Sequence, residues 1–336
     1  MNSCLSPRSH THVTSRCGFA TYVLRSGEAE VRVVPALGAK ITSLRDLRSG
    51  REWLWSAPDG RELRENSAGD AFEAGSMAGI DECVPTIAPS RLGDQMLPDH
   101  GEAWARAWTV NKSLLKEGRL HTSLDLECLP LRIERELTLE AAVLTLRYRL
   151  INLSSVAQPG FWALHPLFAR REGDRIELPC DVADVKVDSQ LGLDLPAGAA
   201  VAWPSPNAGV NFSTLTNTAG AAWCAKLFVT NPNCNRAAIA NDITGDRLDI
   251  DFESERRLHL GIWITRGGWN GFDHFALEPT THAADTPCDA DAATDDLLLP
   301  HATRSWSIRF SLTASETRSG RLLNKSARTD VGWSSR

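Results

Sequence analysis

An all-β fold, a large antiparallel β-sandwich, is predicted by three features of this sequence. Apolar residues recur with period two far more often than with period 3.6, the links between apolar runs are too short for parallel crossovers, and no long amphipathic helix or fixed-period repeat is present. A chain of 336 residues with 42% hydrophobic residues can bury a large core, so length alone allows one large β domain or two ordinary ones.

The strands follow in order. Ala29, Val31 and Val33 alternate with Glu28, Glu30 and Arg32, between the turn signals Ser26-Gly27 and Ser49-Gly50. Leu120, Thr122, Leu124, Leu126 and Cys128 alternate with His121, Ser123, Asp125 and Glu127. Leu131, Ile133, Leu137 and Leu139 alternate with Arg132, Glu134, Glu136 and Glu140, and Leu144, Leu146, Tyr148 and Leu150 complete a third run. The short breaks Leu129-Pro130 and Ala141-Ala142 join these three into an antiparallel meander. Later runs at 221–229, 258–265, 275–278 and 306–312 read as strands separated by Gly, Pro, Asn and Asp clusters. The pattern runs from about Thr21 to Leu312 without a composition break, which predicts one domain over residues 18–314. Residues 1–17, the Ala/Asp-rich loop from Asp285 to Asp296 and the tail 315–336 are expected to be flexible.

Composition excludes several functions. A formal net charge of −6, a pI near 5.9 and the lack of a strong Lys/Arg cluster argue against nucleic-acid binding. The eight cysteines are widely spread, with no CxxC pair and no zinc-site spacing, so free thiols and no metal centre are expected. No secretory h-region and no apolar stretch of the roughly 20 residues that span a bilayer is present, which points to a cytoplasmic protein without a membrane partner.

Three ionisable residues stand in apolar or turn-forming surroundings. His100 lies in Pro98-Asp99-His100-Gly101, and taken alone it fits an ordinary turn histidine. His165 lies in the buried-looking run 161–168, where a lone histidine is often a satisfied core residue. Glu278 ends the apolar stretch Phe275-Ala276-Leu277 before Pro279; burial there raises a carboxyl pKa and suits a general base, although an arginine partner would serve structure alone. Asp81, Glu82, Asp99, Glu102 and His274 are candidates for binding hydroxyls, with turn capping or pairing to Arg91 and Arg106 as the structural alternative. The chain has 11 tryptophans against 2 tyrosines; Trp104, Trp108, Trp162, Trp263 and Trp269 lie near these polar residues in sequence. An indole covers the C–H face of a pyranose, so Trp104, Trp162, Trp263 and Trp269 are candidates for sugar contact, with core filling as the alternative.

The order of motifs resembles the aldose 1-epimerase (galactose mutarotase-like) superfamily. It comprises the opening segment Pro35-Ala36-Leu37-Gly38-Ala39-Lys40-Ile41-Thr42-Ser43-Leu44, the His100-Gly101 turn, Leu164-His165-Pro166 and Leu277-Glu278-Pro279. The segments Gly79 to Thr86 and Gly267 to Gly271, and Glu278-Pro279-Thr280 in place of a Glu-Thr-Gln ending, mark a divergent branch. No residue here is matched to the family's substrate-binding Asp or to its Arg near the first histidine. The resemblance implies a supersandwich, a sugar as the small-molecule partner, no cofactor, and exchange of α and β anomers. Glu278 would be the base, His165 the acid and His100 a hydrogen-bonding partner of the ring oxygen or a neighbouring hydroxyl. A carboxyl raised by burial and an imidazole near its ordinary pKa of about 6.5 suit this chemistry, each positioned group typically giving roughly 10² to 10⁴ in rate. The alternatives are a non-catalytic carbohydrate-binding protein on the same fold, or an isomerase or lyase acting on another sugar. A phosphosugar would need an arginine cluster, for which Arg170-Arg171 is the candidate.

Overall fold

A computed structural model of the chain describes residues 10–58, 63–218, 220–287 and 297–315. Among these residues, eleven strands form one sheet and eight form a second, and every strand pair in both is antiparallel. The only helical elements described are two 3-10 turns, Phe72–Ala74 and Lys112–Glu117. None is long and apolar enough to cross a membrane.

The expected meander is present in the smaller sheet: Arg119–Asp125 pairs with Leu131–Glu140, which pairs with Val143–Asn152. In the middle strand Leu131, Ile133, Leu137 and Leu139 are buried while their neighbours are more exposed, the period-two burial of a half-buried strand. Arg135 also points inward, breaking the apolar series, because its guanidinium reaches Glu82 on the other sheet. One apolar cluster takes Val31, Val33, Leu164 and Leu277 from the larger sheet and Leu137, Leu146, Ile250 and Phe310 from the smaller. Each such side chain, fully buried, contributes roughly 1.5–3 kcal/mol, so the space between the sheets is what holds the sandwich together.

The site lies on the other face of the larger sheet. Its middle runs through Ile80–Cys83, Ala163–Ala169, Asp273–Thr280, His259–Arg266 and Trp223–Val229 in that order. Side chains alternate faces along a strand. Leu164 and Leu277 therefore enter the core while His165 and Glu278, one residue on, project to the opposite side.

Two segments expected to be flexible carry backbone hydrogen bonds to the rest of the fold. His10–Arg16, placed outside the sandwich by its polar composition, is an edge strand paired residue for residue with Phe19–Arg25. Its backbone hydrogen bonds form although its side chains stay mostly exposed. Asp285, placed at the start of a flexible loop, is pinned: its carbonyl accepts from the backbone N–H groups of Ile87 and Ala88, at 2.9 and 2.8 Å. Residues 288–296, 316–336 and 1–9 lie outside the described residues. Cys17, Cys83, Cys128, Cys180, Cys224 and Cys234 are free thiols, while Cys4 and Cys288 lie outside the described residues.

Candidate active site

Register across the larger sheet assembles the site. Lys226 is directly opposite Trp263, Trp263 opposite Ala276, and Ala276 opposite Leu167, one row across four strands. In the next row Glu278 is opposite Gly261, which is opposite Phe228. A Cβ at Gly261 would stand 3.4 Å from Glu278 Oε2 and 3.4 Å from the Phe228 ring, so glycine leaves room for the carboxylate. The small residues Ala276 and Gly261 thus make a low floor among large neighbours. Over it lies a cavity of about 180 Å³, lined by His100, His165, Lys226, His274, Glu278 and Asp285 together with Phe72, Trp263 and Trp269.

His100 is carried by a turn that the sequence specifies tightly. His100 and Gly101 both adopt positive φ, 57° and 70°, and a Cβ at Gly101 would stand 2.1 Å from the Val84 carbonyl oxygen. The His100 N–H donates to Ile87 O at 2.6 Å, and Trp104 Nε1 donates to Asp99 O at 3.0 Å. Asp99 Oδ1 is 2.8 Å from His100 Nδ1, and Asp99 Oδ2 accepts from the Phe72 N–H at 2.8 Å. Burial works to raise the Asp99 carboxyl pKa, but His100 and the Phe72 N–H outweigh it and hold the pKa below the ordinary range. As an acceptor, Asp99 assigns the proton to Nδ1 of His100 and leaves Nε2 for a ligand. Phe72 stacks on the imidazole with ring centres 4.0 Å apart.

His165 and Glu278 face each other across adjacent strands, with Nε2 of His165 3.9 Å from Oε1 of Glu278. The two imidazoles meet edge to face with centres 5.0 Å apart. Burial pushes the Glu278 carboxyl above its ordinary value, against the opposing pull of Lys226, whose Nζ is 2.5 Å from Oε2. Burial drives the His165 imidazole well below its ordinary value, and the charges of His100, Lys226, His274 and Lys40 add to the effect. This corrects the expectation of an imidazole near 6.5. His274 is 1% exposed and its pKa falls to about 3, again through burial. Its ring lies 4.3 Å from that of Trp55, and neither ring nitrogen has a hydrogen-bond partner among the described residues.

Of the expected site residues, the structure brings His100, His165, Glu278, His274, Trp263 and Trp269 to the cavity. Asp99 stands behind His100. The others do not line it. Asp81 is fully buried and paired with Lys40. Glu82 accepts from Arg135 at 2.6 Å, Tyr148 at 2.8 Å and Trp162 Nε1 at 2.7 Å, so both Glu82 and Trp162 belong to a buried polar cluster on the core side. Glu102 accepts from the backbone N–H groups of Glu127 and Cys128 and pairs with Arg106. Trp104 and Trp108 are buried and their indole N–H groups donate to backbone carbonyls. Arg91 donates to the Gly93 carbonyl rather than to a carboxylate. Arg170, the candidate phosphate ligand, is occupied by Asp273 at 3.1 Å, and no arginine lines the cavity among the described residues.

Two charged residues of the cavity escaped the sequence reading. Lys226 carried a signal, a lysine inside the otherwise apolar strand Trp-Cys-Ala-Lys-Leu-Phe-Val, every residue of which is buried. Asp285 carried none, being one aspartate in an Ala/Asp-rich stretch.

With this geometry in place, comparison with solved structures defines the class of fold. A galactose mutarotase-like protein from Clostridium acetobutylicum superposes with a TM-score of 0.66 at 16% identity, over 92% of this chain and 99% of that one. The Slr1438 protein from Synechocystis gives 0.63 at 18% identity, over 94% and 100%. A galactose mutarotase related enzyme from Lactobacillus acidophilus gives 0.58 at 14%, over 88% and 97%. No family model and no curated protein matches the sequence. The chain has the galactose mutarotase-like fold.

Proposed function

We propose that this protein is an aldose 1-epimerase, a single-domain cytoplasmic enzyme that interconverts the α and β anomers of a free aldose. The observation that carries the reading is the pairing of an unencumbered carboxylate oxygen, Oε1 of Glu278, with Nε2 of His165 at 3.9 Å in a cavity walled by aromatic residues. A hemiacetal inserted between them meets a base and an acid on one sheet face. Glu278 takes the proton of the C1 hydroxyl as the bond from C1 to the ring oxygen breaks and C1 becomes the aldehyde carbon. His165 delivers a proton to the departing ring oxygen. Rotation about C1–C2 presents the other carbonyl face; closure returns one proton to His165 and the other from Glu278 to O1, so the cycle consumes nothing. A water-poor pocket strengthens both transfers.

The remaining lining fits a pyranose. Trp263 and Trp269 stand edge to face with centres 6.0 Å apart and offer flat apolar surface to C–H groups. His274, whose two ring nitrogens are unpartnered among the described residues, suits a sugar hydroxyl at one of them, as donor or as acceptor according to the tautomer. His100 Nε2 suits the ring oxygen or a neighbouring hydroxyl. Glu278 and Asp285 outnumber Lys226 among the charged cavity residues, which favours an unphosphorylated aldose.

The test is to follow freshly dissolved single anomers of a panel of free and phosphorylated aldoses by NMR, recovering the sugar afterwards. Faster approach to anomeric equilibrium with the sugar recovered unchanged supports the reading. A new ketose or an unsaturated product assigns the site to isomerisation or elimination instead, and binding without acceleration assigns it to sugar recognition.

A further inference from the structure

Lys226 and Asp285 have no part in the ring-opening cycle, yet they occupy its cavity. Lys226 sits mid-strand and 4% exposed, a position where an ammonium persists only with carboxylate partners. It has two: Oε2 of Glu278 at 2.5 Å and Oδ1 of Asp285 at 2.9 Å. Burial works to lower the Lys226 pKa, but the two carboxylates outweigh it and raise the value above that of an ordinary lysine. The group is therefore an ammonium and not an amine nucleophile for the open-chain aldehyde. Asp285 is itself fixed, its carbonyl accepting from the Ile87 and Ala88 N–H groups and from Thr86 Oγ1 at 3.1 Å. These contacts leave Glu278 asymmetric. Oε2 is committed to Lys226, whereas Oε1 has no hydrogen-bond partner and faces His165.

We propose that Lys226 is the positioning residue of this site: it holds one oxygen of Glu278 so that the other is fixed as the proton acceptor, and Asp285 anchors Lys226 for that task. The proposal rests on the ring-opening reading for its chemistry. The proton leaving O1 goes to Oε1 and returns from it; Lys226 neither gives nor takes a proton. Lys226 also favours the ionised carboxylate against burial. The other groups acting on Glu278 are His165 from the neighbouring strand, His100 from its turn, Asp285 and the thiol of Cys83, while Asp188 acts on Lys226 and Asp285.

The experiment compares wild type, Lys226→Met, Lys226→Arg and Asp285→Asn by NMR anomer exchange against pH, with the Glu278 carboxyl carbon titrated by ¹³C shift in the same samples. Expected for Lys226→Met is a fall in kcat of about 10²-fold, within the range of a positioned general base, with KM changed far less. The Glu278 midpoint should rise in that variant. Lys226→Arg should restore most of the rate, and Asp285→Asn should show a smaller loss in the same direction. A folded Lys226→Met protein with wild-type kcat and an unmoved Glu278 midpoint overturns the proposal. If Lys226→Met does not fold, Asp285→Asn decides, and wild-type values there overturn the anchoring. If wild type accelerates no aldose, the epimerase reading fails while the Glu278 midpoint still judges the pairing: a rise upholds it and no change overturns it.

Discussion

Oε1 of Glu278 stands 3.9 Å from Nε2 of His165, on adjacent antiparallel strands, while Oε2 of the same carboxylate is bound by Lys226. This places a carboxylate and an imidazole on one sheet face, both carried by strands. Strand register, set by the core-facing Leu164 and Leu277, therefore also sets the distance between the two side chains.

The pH dependence follows from the two shifts. Burial raises the Glu278 pKa, so the ionised base is lost as pH falls through a midpoint above about 4.5. Burial lowers the His165 pKa, so the protonated acid is lost as pH rises through a midpoint below about 6.5. The proposed ring opening needs one proton shared by the pair. After subtraction of the buffer-catalysed rate, kcat/KM should be bell-shaped with its optimum on the acid side of neutrality; a plateau extending above pH 8 would show that His165 is not the acid in its charged form.

Asp99→Asn tests the support of His100. The asparagine can present an N–H to His100 Nδ1 and so remove the reason for the tautomer that Asp99 assigns. A loss of about 10-fold or more in kcat/KM is expected, at the low end of what second-layer partners contribute. The thermal unfolding midpoint should move by only a few degrees, and steady-state rates on both anomers together with a melting curve check the two outcomes.

Glu82→Ala should act on stability instead. It leaves Arg135, fully buried, without its carboxylate, and deprives Tyr148 and Trp162 of an acceptor. Breaking such a pair costs about 3–5 kcal/mol. Urea unfolding measures it, and an unchanged midpoint would remove the structural role assigned to this cluster.

His274 links stability to acid. Its folded pKa of about 3 lies below the ordinary 6.5, so its neutral form is what the fold accommodates. That contribution is complete above about pH 6.5 and is lost as pH falls towards 3. His274→Phe should therefore lose less stability than wild type between pH 7 and pH 4, by on the order of 3 kcal/mol from the size of the shift. Denaturant midpoints at the two pH values check it; parallel losses in both proteins would place the acid sensitivity elsewhere.

Much of the sandwich was legible because period-two alternation is a local signal. The meander over 119–152 is written in Leu120, Leu131, Leu144 and their alternate neighbours, and the structure pairs those strands as the short links require. Arg135 was overlooked as an exception to that alternation, because its partner Glu82 lies 53 positions away in the chain. His100, His165 and Glu278 were recognisable from their motifs, but which carboxylates faced the cavity was not. Asp81 and Glu82 are neighbours of the site in sequence, and each found a buried cation instead. Their pairing depends on strand order, which composition does not carry. Asp285 was invisible for the same reason, since only the hydrogen bonds from Ile87 and Ala88 distinguish it from the aspartates that follow.

Glu278 is proposed to exchange the anomeric proton. NMR magnetisation exchange between the α and β resonances of a free aldose, with wild type and Glu278→Gln at matched concentrations, tests it most directly. Acceleration is expected with wild type, and only the uncatalysed rate with a Glu278→Gln protein of native fold. Equal acceleration by both proteins would contradict it and send the search for the base to another residue of the cavity.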